Sequence, residues 1–327
     1  MDRLTENKII LVVRATRLAD LKARFATKMQ ARFYVSRLGQ DFSDYEREDT
    51  TYQDAIRLAQ AVLATLGRVQ VVQRAMLPNF VFGPEDVVVA LGQDGLVANT
   101  LKYLNGQPLI GVNPDPKRWD GLLLPFRLDD LEKVMREVLH RSRPVKSVTM
   151  AKATLNTGLT MYAVNDLFFG PRTHGSARYV IESGGVKEAH SSSGVIVSTG
   201  LGSTGWLKSL INGATAVAAL AAPEFHGATA PPPLPRGKSR SSGVVQTAVA
   251  WDTDHLFFTV REPFPTRTTS AALVFGRVSE ALPLIIESQM GENGVIFSDG
   301  IESDFLEFNS GARAVIGLAE KRGVLVV

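Results

Sequence analysis

Two hydrophobic rhythms divide this chain. In its first part, unbroken apolar runs alternate with amphipathic stretches. Ile9-Ile10-Leu11-Val12-Val13 and Val87-Val88-Val89-Ala90-Leu91 have the length and the branched side chains of buried strands. Residues 69–72 and 109–112 read as further strands. Helical spacing covers residues 18–38, 54–66, 96–104 and 129–140. In the second of these, Ile56, Ala59, Val62, Leu63 and Leu66 share one face, and Asp129 and Asp130 suit a helix N-terminus. Strands alternating with helices predict an α/β domain with a Rossmann-like parallel sheet.

The rhythm changes near Pro144. Ser147-Val148-Thr149-Met150-Ala151 and Tyr179-Val180-Ile181 alternate at period two, with Ser and Gly turns between such segments, which predicts an all-β domain. The expected domains are therefore residues 1–145 and 146–327. Within the second, residues 213–243 are of low complexity, Ala-rich and then carrying Pro231-Pro232-Pro233, Arg236, Lys238 and Arg240. They read as a surface loop, with a phosphate-attracting lid or an oligomer contact as the sharper alternative.

Composition narrows the function. A net charge of +3, small and dispersed, weakly favours anionic small ligands, and the sequence has no block of consecutive Lys/Arg and no basic–aromatic interleaving of the kind that marks an RNA-binding sheet. Zero cysteines exclude a disulfide scaffold, a thiolate zinc site and a cysteine nucleophile. Residues 1–8 lack the apolar core of a signal peptide. The Ala-rich residues 214–222 fall far short of the roughly 20 needed to span a membrane. The expectation is a cytoplasmic protein with no membrane or nucleic-acid partner.

Three constellations carry chemistry. In Gly92-Gln93-Asp94-Gly95, glycines let backbone N–H groups approach a phosphate, and an Asp beside that phosphate can take a proton from an attacking hydroxyl. Asp-Gly is also an ordinary turn pair. Asn165-Asp166 interrupts the apolar run from Met161 to Phe169, and such groups need partners of the kind a nucleoside supplies, or else mark a bulge or strand end. The segment from Ser191 to Trp206 has glycines at 200, 202 and 205. It reads as a strand, a Gly-rich loop and a helix capped near Ser203, which suits a phosphate or ribose. Trp206 stands ready to stack on a base or to fill the core. Asp252, Asp254 and His255 read as a turn, and His140 as a helix C-terminal charge.

In this order and spacing, Gly92-Gln93-Asp94-Gly95, Asn165-Asp166 and Gly202-Ser203-Thr204-Gly205-Trp206 resemble the ATP-dependent NAD kinase family. The resemblance covers residues 87–212. Gln30-Ala31-Arg32-Phe33-Tyr34, Gly111-Val112-Asn113-Pro114-Asp115-Pro116, Ser192-Ser193-Gly194 and Val260-Arg261-Glu262-Pro263 look most like its mitochondrial-type branch. The resemblance implies an α/β domain and an all-β domain with substrate bound between them. It implies phosphoryl transfer from ATP or polyphosphate to the 2′-hydroxyl of the adenosine ribose of NAD(H), giving NADP(H). Asp94 would be the general base, with Gly92, Gln93 and Gly95 at the phosphates. Asn165, Asp166, Ser193, Thr199, Gly202, Ser203, Thr204, Trp206 and Ser209 would hold the dinucleotide, and Asn113 and Asp299 are further candidates. Mg²⁺ would come with ATP, held by phosphate oxygens rather than by a protein metal site. A homodimer or homotetramer is implied as well.

The chain departs from the family pattern at several points. Gln93 replaces a glycine, Leu96 a threonine and Ser193 an acid, and the chain ends in a strand where many members carry a last helix. These departures keep two other readings open: a catalytically weak dinucleotide-binding protein, and a kinase acting on a lipid or sugar hydroxyl.

Overall fold

A computed structural model describes residues 3–225 and 249–327. In chain order its elements are β1 (Lys8–Val13), α1 (Arg17–Phe25), α2 (Lys28–Arg37), α3 (Ser43–Ala64), β2 (Arg68–Gln73), β3 (Val87–Leu91), α4 (Asp94–Leu101), β4 (Pro108–Asn113), β5 (Phe126–Arg127) and α5 (Leu131–Leu139). There follow β6 (Val145–Leu155), β7 (Thr160–Ala163), β8 (Asp166–Pro171), β9 (Ala177–Ser183), β10 (Val186–Ser192), β11 (Val195–Ser198), α6 (Trp206–Phe225) and β12 (Leu256–Val260). The last are β13 (Phe275–Val278), β14 (Leu284–Ser288), β15 (Gly294–Ser298), β16 (Ile301–Glu307) and β17 (Arg313–Val326). They form two units, Met1–Val148 with Glu320–Val327, and Thr149–Ala319. The last eight residues thus fall in the first unit, not in the second as the sequence reading had them.

In the first unit the strands run parallel in the order β17, β4, β3, β1, β2, with β5 also beside β4. Burial on both faces explains the unbroken apolar runs of β1 and β3. One face packs Ile9, Leu11, Val89 and Ile110 against Tyr52, Ala55, Ala59 and Leu63 of α3 and Val134 and Met135 of α5.

The helical stretch expected over residues 18–38 is two helices. Ala26 takes a left-handed conformation (φ 63°), and Thr27 then caps α2 by accepting the Gln30 N–H at 3.2 Å. α3 begins eleven residues before the expected residue 54, at Ser43. Its first half is polar and is fixed by ion pairs instead of an apolar stripe. Glu48 is buried against Arg14 (3.0 Å) and Arg17, and Asp44 pairs with Arg17 and Arg118, each at 2.6 Å. The two guanidiniums hold the Asp44 carboxyl well below the usual carboxylate range, Arg118 contributing most.

The second unit is antiparallel. One sheet has the order β13, β12, β11, β8, β15, β16. Opposite it lie β10, β9, β14 and the first part of β17. Leu167, Phe169, Val195, Val197, Phe258 and Ile296 from the first sheet meet Tyr179, Ile181, Leu284, Ile286 and Ile316 from the second in one core. Residues 213–225, expected as loop, continue helix α6. The rest of that expected loop, up to residue 243, lies outside the described residues.

Candidate functional site

Two groups of the expected residues are built, one in each unit. In the first, β3 ends at Leu91, and the Gly92 N–H donates to the Val112 carbonyl at 3.2 Å. Gln93 stays extended and α4 begins at Asp94, where helix N–H groups and the helix dipole favour an anion. Asp94 Oδ1 accepts the Leu123 N–H at 2.6 Å. Leu123 lies directly over β4: a Cβ at Gly111 would come within 2.0 Å of the Leu123 carbonyl oxygen. A strand glycine therefore lets the loop that orients Asp94 lie close to the sheet. Packing restricts position 92, where a Cβ would meet Leu96 at 2.9 Å, but not the exposed Gly95.

Asn113 is buried and serves its own loop. Its Nδ2 donates to the Trp119 carbonyl at 2.9 Å and its Oδ1 accepts the Asp115 N–H at 3.0 Å.

In the second unit Asp299 organises the Asn-Asp pair. It sits at φ 54° beside Gly300 at φ 72°, in the tight turn between β15 and β16. Its carboxylate accepts the N–H groups of Val164 (3.1 Å), Asn165 (2.6 Å) and Asp166 (3.3 Å), and its own N–H donates to the Asp166 carbonyl at 2.9 Å. The Asn165 carbonyl accepts the Thr199 N–H at 2.9 Å, and the Thr199 hydroxyl donates to the Val164 carbonyl at 2.5 Å. Gly202 closes the cluster, since a Cβ there would lie 2.2 Å from the Asn165 carbonyl oxygen.

Asp166 is the unsatisfied point of this frame. Its carboxylate is buried, and Oδ1 has no hydrogen-bond partner. Burial pushes its pKa up to about 7; a hydrogen bond with Ser198 pulls it back, and the charge of Asp299 pushes it further up. A buried acceptor without a donor costs about 1–3 kcal/mol, which a ligand hydroxyl or amine can relieve.

The remaining residues divide by exposure. Thr199 and Ser203 are fully buried. Ser203 does not cap a helix as expected: its hydroxyl donates to the Gly200 carbonyl at 2.7 Å and accepts the Val249 N–H at 3.0 Å. Thr204 and Ser209 are exposed at the start of α6. Ser193 is partly exposed, and its N–H donates to the Arg261 carbonyl at 2.9 Å. Trp206 stacks on Phe168 at 5.9 Å.

No family model and no curated protein matches this chain. Solved structures do. An NAD kinase from Archaeoglobus fulgidus in complex with ATP is 16% identical, with 98% of this chain and 93% of that one covered at a TM-score of 0.54. Yeast NADH kinase complexed with NADH is 14% identical, with 99% and 84% covered, also at 0.54. The fold is that of the NAD kinases. The likeness extends over both units and does not single out the mitochondrial-type branch.

Sequence reasoning missed Tyr52 and Arg14. The Tyr52 hydroxyl bonds backbone at the ends of both β1 and β3, just before the Gly92 turn, and Arg14 lies over the Tyr52 ring at 5.0 Å. Tyr52 falls in the polar half of α3, before the apolar pattern begins. Asp299 was found as a candidate, but its three N–H contacts join residues far apart in sequence.

Proposed function

We propose that this protein is an NAD(H) kinase. It transfers the γ-phosphoryl group of ATP, or a terminal phosphoryl group of polyphosphate, to the 2′-hydroxyl of the adenosine ribose. Asp94 takes the hydroxyl proton, the freed oxygen bonds to phosphorus, and the bond from that phosphorus to its bridging oxygen breaks, releasing ADP or shortened polyphosphate. The observation that carries this reading is the placement of Asp94: first in a helix after a fully buried strand, with one oxygen fixed by the Leu123 N–H. The fold shared with NAD kinases supports it. So does the unpartnered Oδ1 of Asp166, which suits a nucleoside hydroxyl or amine.

Mg²⁺ belongs to this reading as the partner of ATP. Such an ion would be held by phosphate oxygens, since Mg²⁺ keeps most of its ligands from water and phosphate. It neutralises phosphate charge when bound. A cytoplasmic location, assembly as a homodimer or homotetramer, and descent from the mitochondrial-type branch complete the proposal. No helix among the described residues is long and apolar enough to cross a membrane.

The test pairs NAD and NADH with ATP and with polyphosphate in the presence of Mg²⁺, and reads NADP(H) with an NADP-specific dehydrogenase. Product formation that falls about 10²–10⁴-fold in Asp94→Asn, with NAD affinity kept, supports the assignment. Near-normal turnover in that variant overturns the role of Asp94. NAD binding without product in the wild type favours a dinucleotide-binding protein, with Gln93→Gly the variant to restore turnover.

A further inference from the structure

The loop that leaves β4 touches the candidate base near its far end and α3 at its tip. Residues 114–125 form no helix or strand between β4 and β5. Their neck is closed by Asn113, whose side chain donates to the Trp119 carbonyl at 2.9 Å and accepts the Asp115 N–H at 3.0 Å. Beyond Trp119 the chain turns back, and the Leu123 N–H donates to Asp94 Oδ1 at 2.6 Å. Among the described residues this N–H is the one hydrogen-bond partner of the Asp94 carboxylate. Between Asp115 and Trp119, Arg118 reaches out of the loop to α3. Its guanidinium donates to both oxygens of Asp44, at 2.6 and 3.2 Å.

The receiving end of this contact is itself held. Arg17 of α1 donates to Asp44 Oδ2 at 2.6 Å, and Arg47, one turn along α3, lies 3.5 Å from Oδ1. Arg17 also pairs with the buried Glu48 of α3. A two-bond fork between a planar guanidinium and a carboxylate fixes direction as well as distance. Arg118 and Asp44 are partly exposed, with side chains 24% and 37% accessible, and pairs of this kind contribute little to global stability. The effect is therefore local: the pair removes freedom from a loop that has no ladder of its own.

We propose that the Arg118–Asp44 pair is a latch that positions Asp94. By holding the loop tip on α3 it fixes the Leu123 N–H, and with it the direction of the carboxylate. This rests on the reading of Asp94 as general base. Neither Arg118 nor Asp44 touches the reacting atoms, so both are positioning residues. A carboxylate displaced by about 1 Å from the hydroxyl it serves can lose about 10²-fold in rate. Dinucleotide affinity does not depend on where that proton goes, so the latch acts on turnover and not on binding.

The experiment compares the full chain with Arg118→Gln, Asp44→Asn and the two combined. Arg118→Gln leaves the pairs of Arg17 with Asp44 and Glu48 in place. Hydrogen–deuterium exchange of residues 119–124 is expected to quicken about tenfold in each variant, with β3, α4 and α5 unchanged. The kcat for NADP(H) formation should fall about tenfold, while KM for NAD changes by less than about twofold. The double variant should be no worse than the poorer single one, because both substitutions break the same contact. Arg118→Lys keeps the charge and loses the fork, so it should fall between Arg118→Gln and the wild type. Unchanged exchange in both single variants, or losses that add in the double variant, overturns the latch. Faster exchange with unchanged kcat overturns its role in positioning Asp94. If NADP(H) forms and the variants match the wild type in exchange and kcat, the latch falls and the kinase stands. If exchange quickens while the wild type forms no NADP(H), the tie of the loop to α3 stands and the kinase reading falls.

Discussion

The Tyr52 hydroxyl donates to the Leu91 carbonyl at 2.6 Å while accepting the Arg14 N–H at 3.0 Å. One helix side chain thus ties together the ends of β1 and β3 at the point where the candidate phosphate turn begins. Burial raises the Tyr52 pKa to about 12, so the group stays a phenol and keeps its donor. Tyr52→Phe leaves a carbonyl and an N–H without this partner. The expected loss is about 1–3 kcal/mol in urea unfolding. NADP(H) formation should fall further than NAD affinity, and equal effects on both would argue against a role at the turn.

Gly111→Ala tests the support of Asp94 without touching it. The new methyl would meet the Leu123 carbonyl at 2.0 Å, so the loop must move and take with it the N–H that Asp94 accepts. Turnover should drop at least tenfold, and stability by about 1–3 kcal/mol, as in other overpacked cores. A variant with unchanged kcat would show that Leu123 does not orient the carboxylate.

Asp166 predicts a pH dependence of stability. Burial raises its pKa to about 7 in the native state, against the ordinary aspartate value of 3.8 in the unfolded chain. Between these values the folded chain binds more protons than the unfolded chain, so this group makes stability fall as pH rises. Its destabilising effect is complete above about pH 7. Asp166→Asn removes the titration. In urea unfolding the variant should exceed the wild type by about 1–3 kcal/mol near pH 8, with a smaller difference near pH 5. A pH-independent difference would overturn this assignment. NAD affinity should fall in the same variant if Asp166 accepts from the ligand.

Asp299→Asn probes the frame that presents Asp166. Asparagine tolerates the positive φ of this turn, so the hairpin is retained. The ionised acceptor shared by three consecutive N–H groups is lost, at an expected 1–3 kcal/mol, roughly. The negative charge that raises the Asp166 pKa is also removed. The pH-dependent loss of stability should therefore shift to lower pH, measured by unfolding across the same range. An unshifted profile would mean that the two carboxylates do not interact.

The architecture was legible where burial alone decides the pattern. β1 and β3 are covered on both faces, so their sequences are plain apolar runs. The start of α3 was not legible, because Glu48 and Asp44 are held by arginines from outside that helix, and charge pairing leaves no hydrophobic period. The break at Ala26 was hidden for a different reason: alanine is a strong helix former and gives no signal for a left-handed residue. At the site, chemical type pointed to Asp94, Asp166 and Asp299. It could not reveal that Thr199 and Ser203 spend their hydroxyls on backbone, since that depends on contacts with Val164 and Val249. The tie between Arg118 and Asp44 was invisible because it joins residues 74 positions apart that no local motif links.

The placement of β17 has a consequence for how the chain is made. Val324 and Leu325 pair with Pro108 and Leu109, so a strand of the first unit is supplied by chain that follows the whole of Thr149–Ala319. On the ribosome, the segment preceding Val148 emerges early, yet its sheet lacks this strand until Thr149–Ala319 has been synthesised. Closing so long a loop carries an entropic cost that grows only slowly with its length, and early folding of the intervening domain shortens the effective distance. Maturation of the domain that carries Asp94 is thereby coupled to the synthesis of residues 320–327.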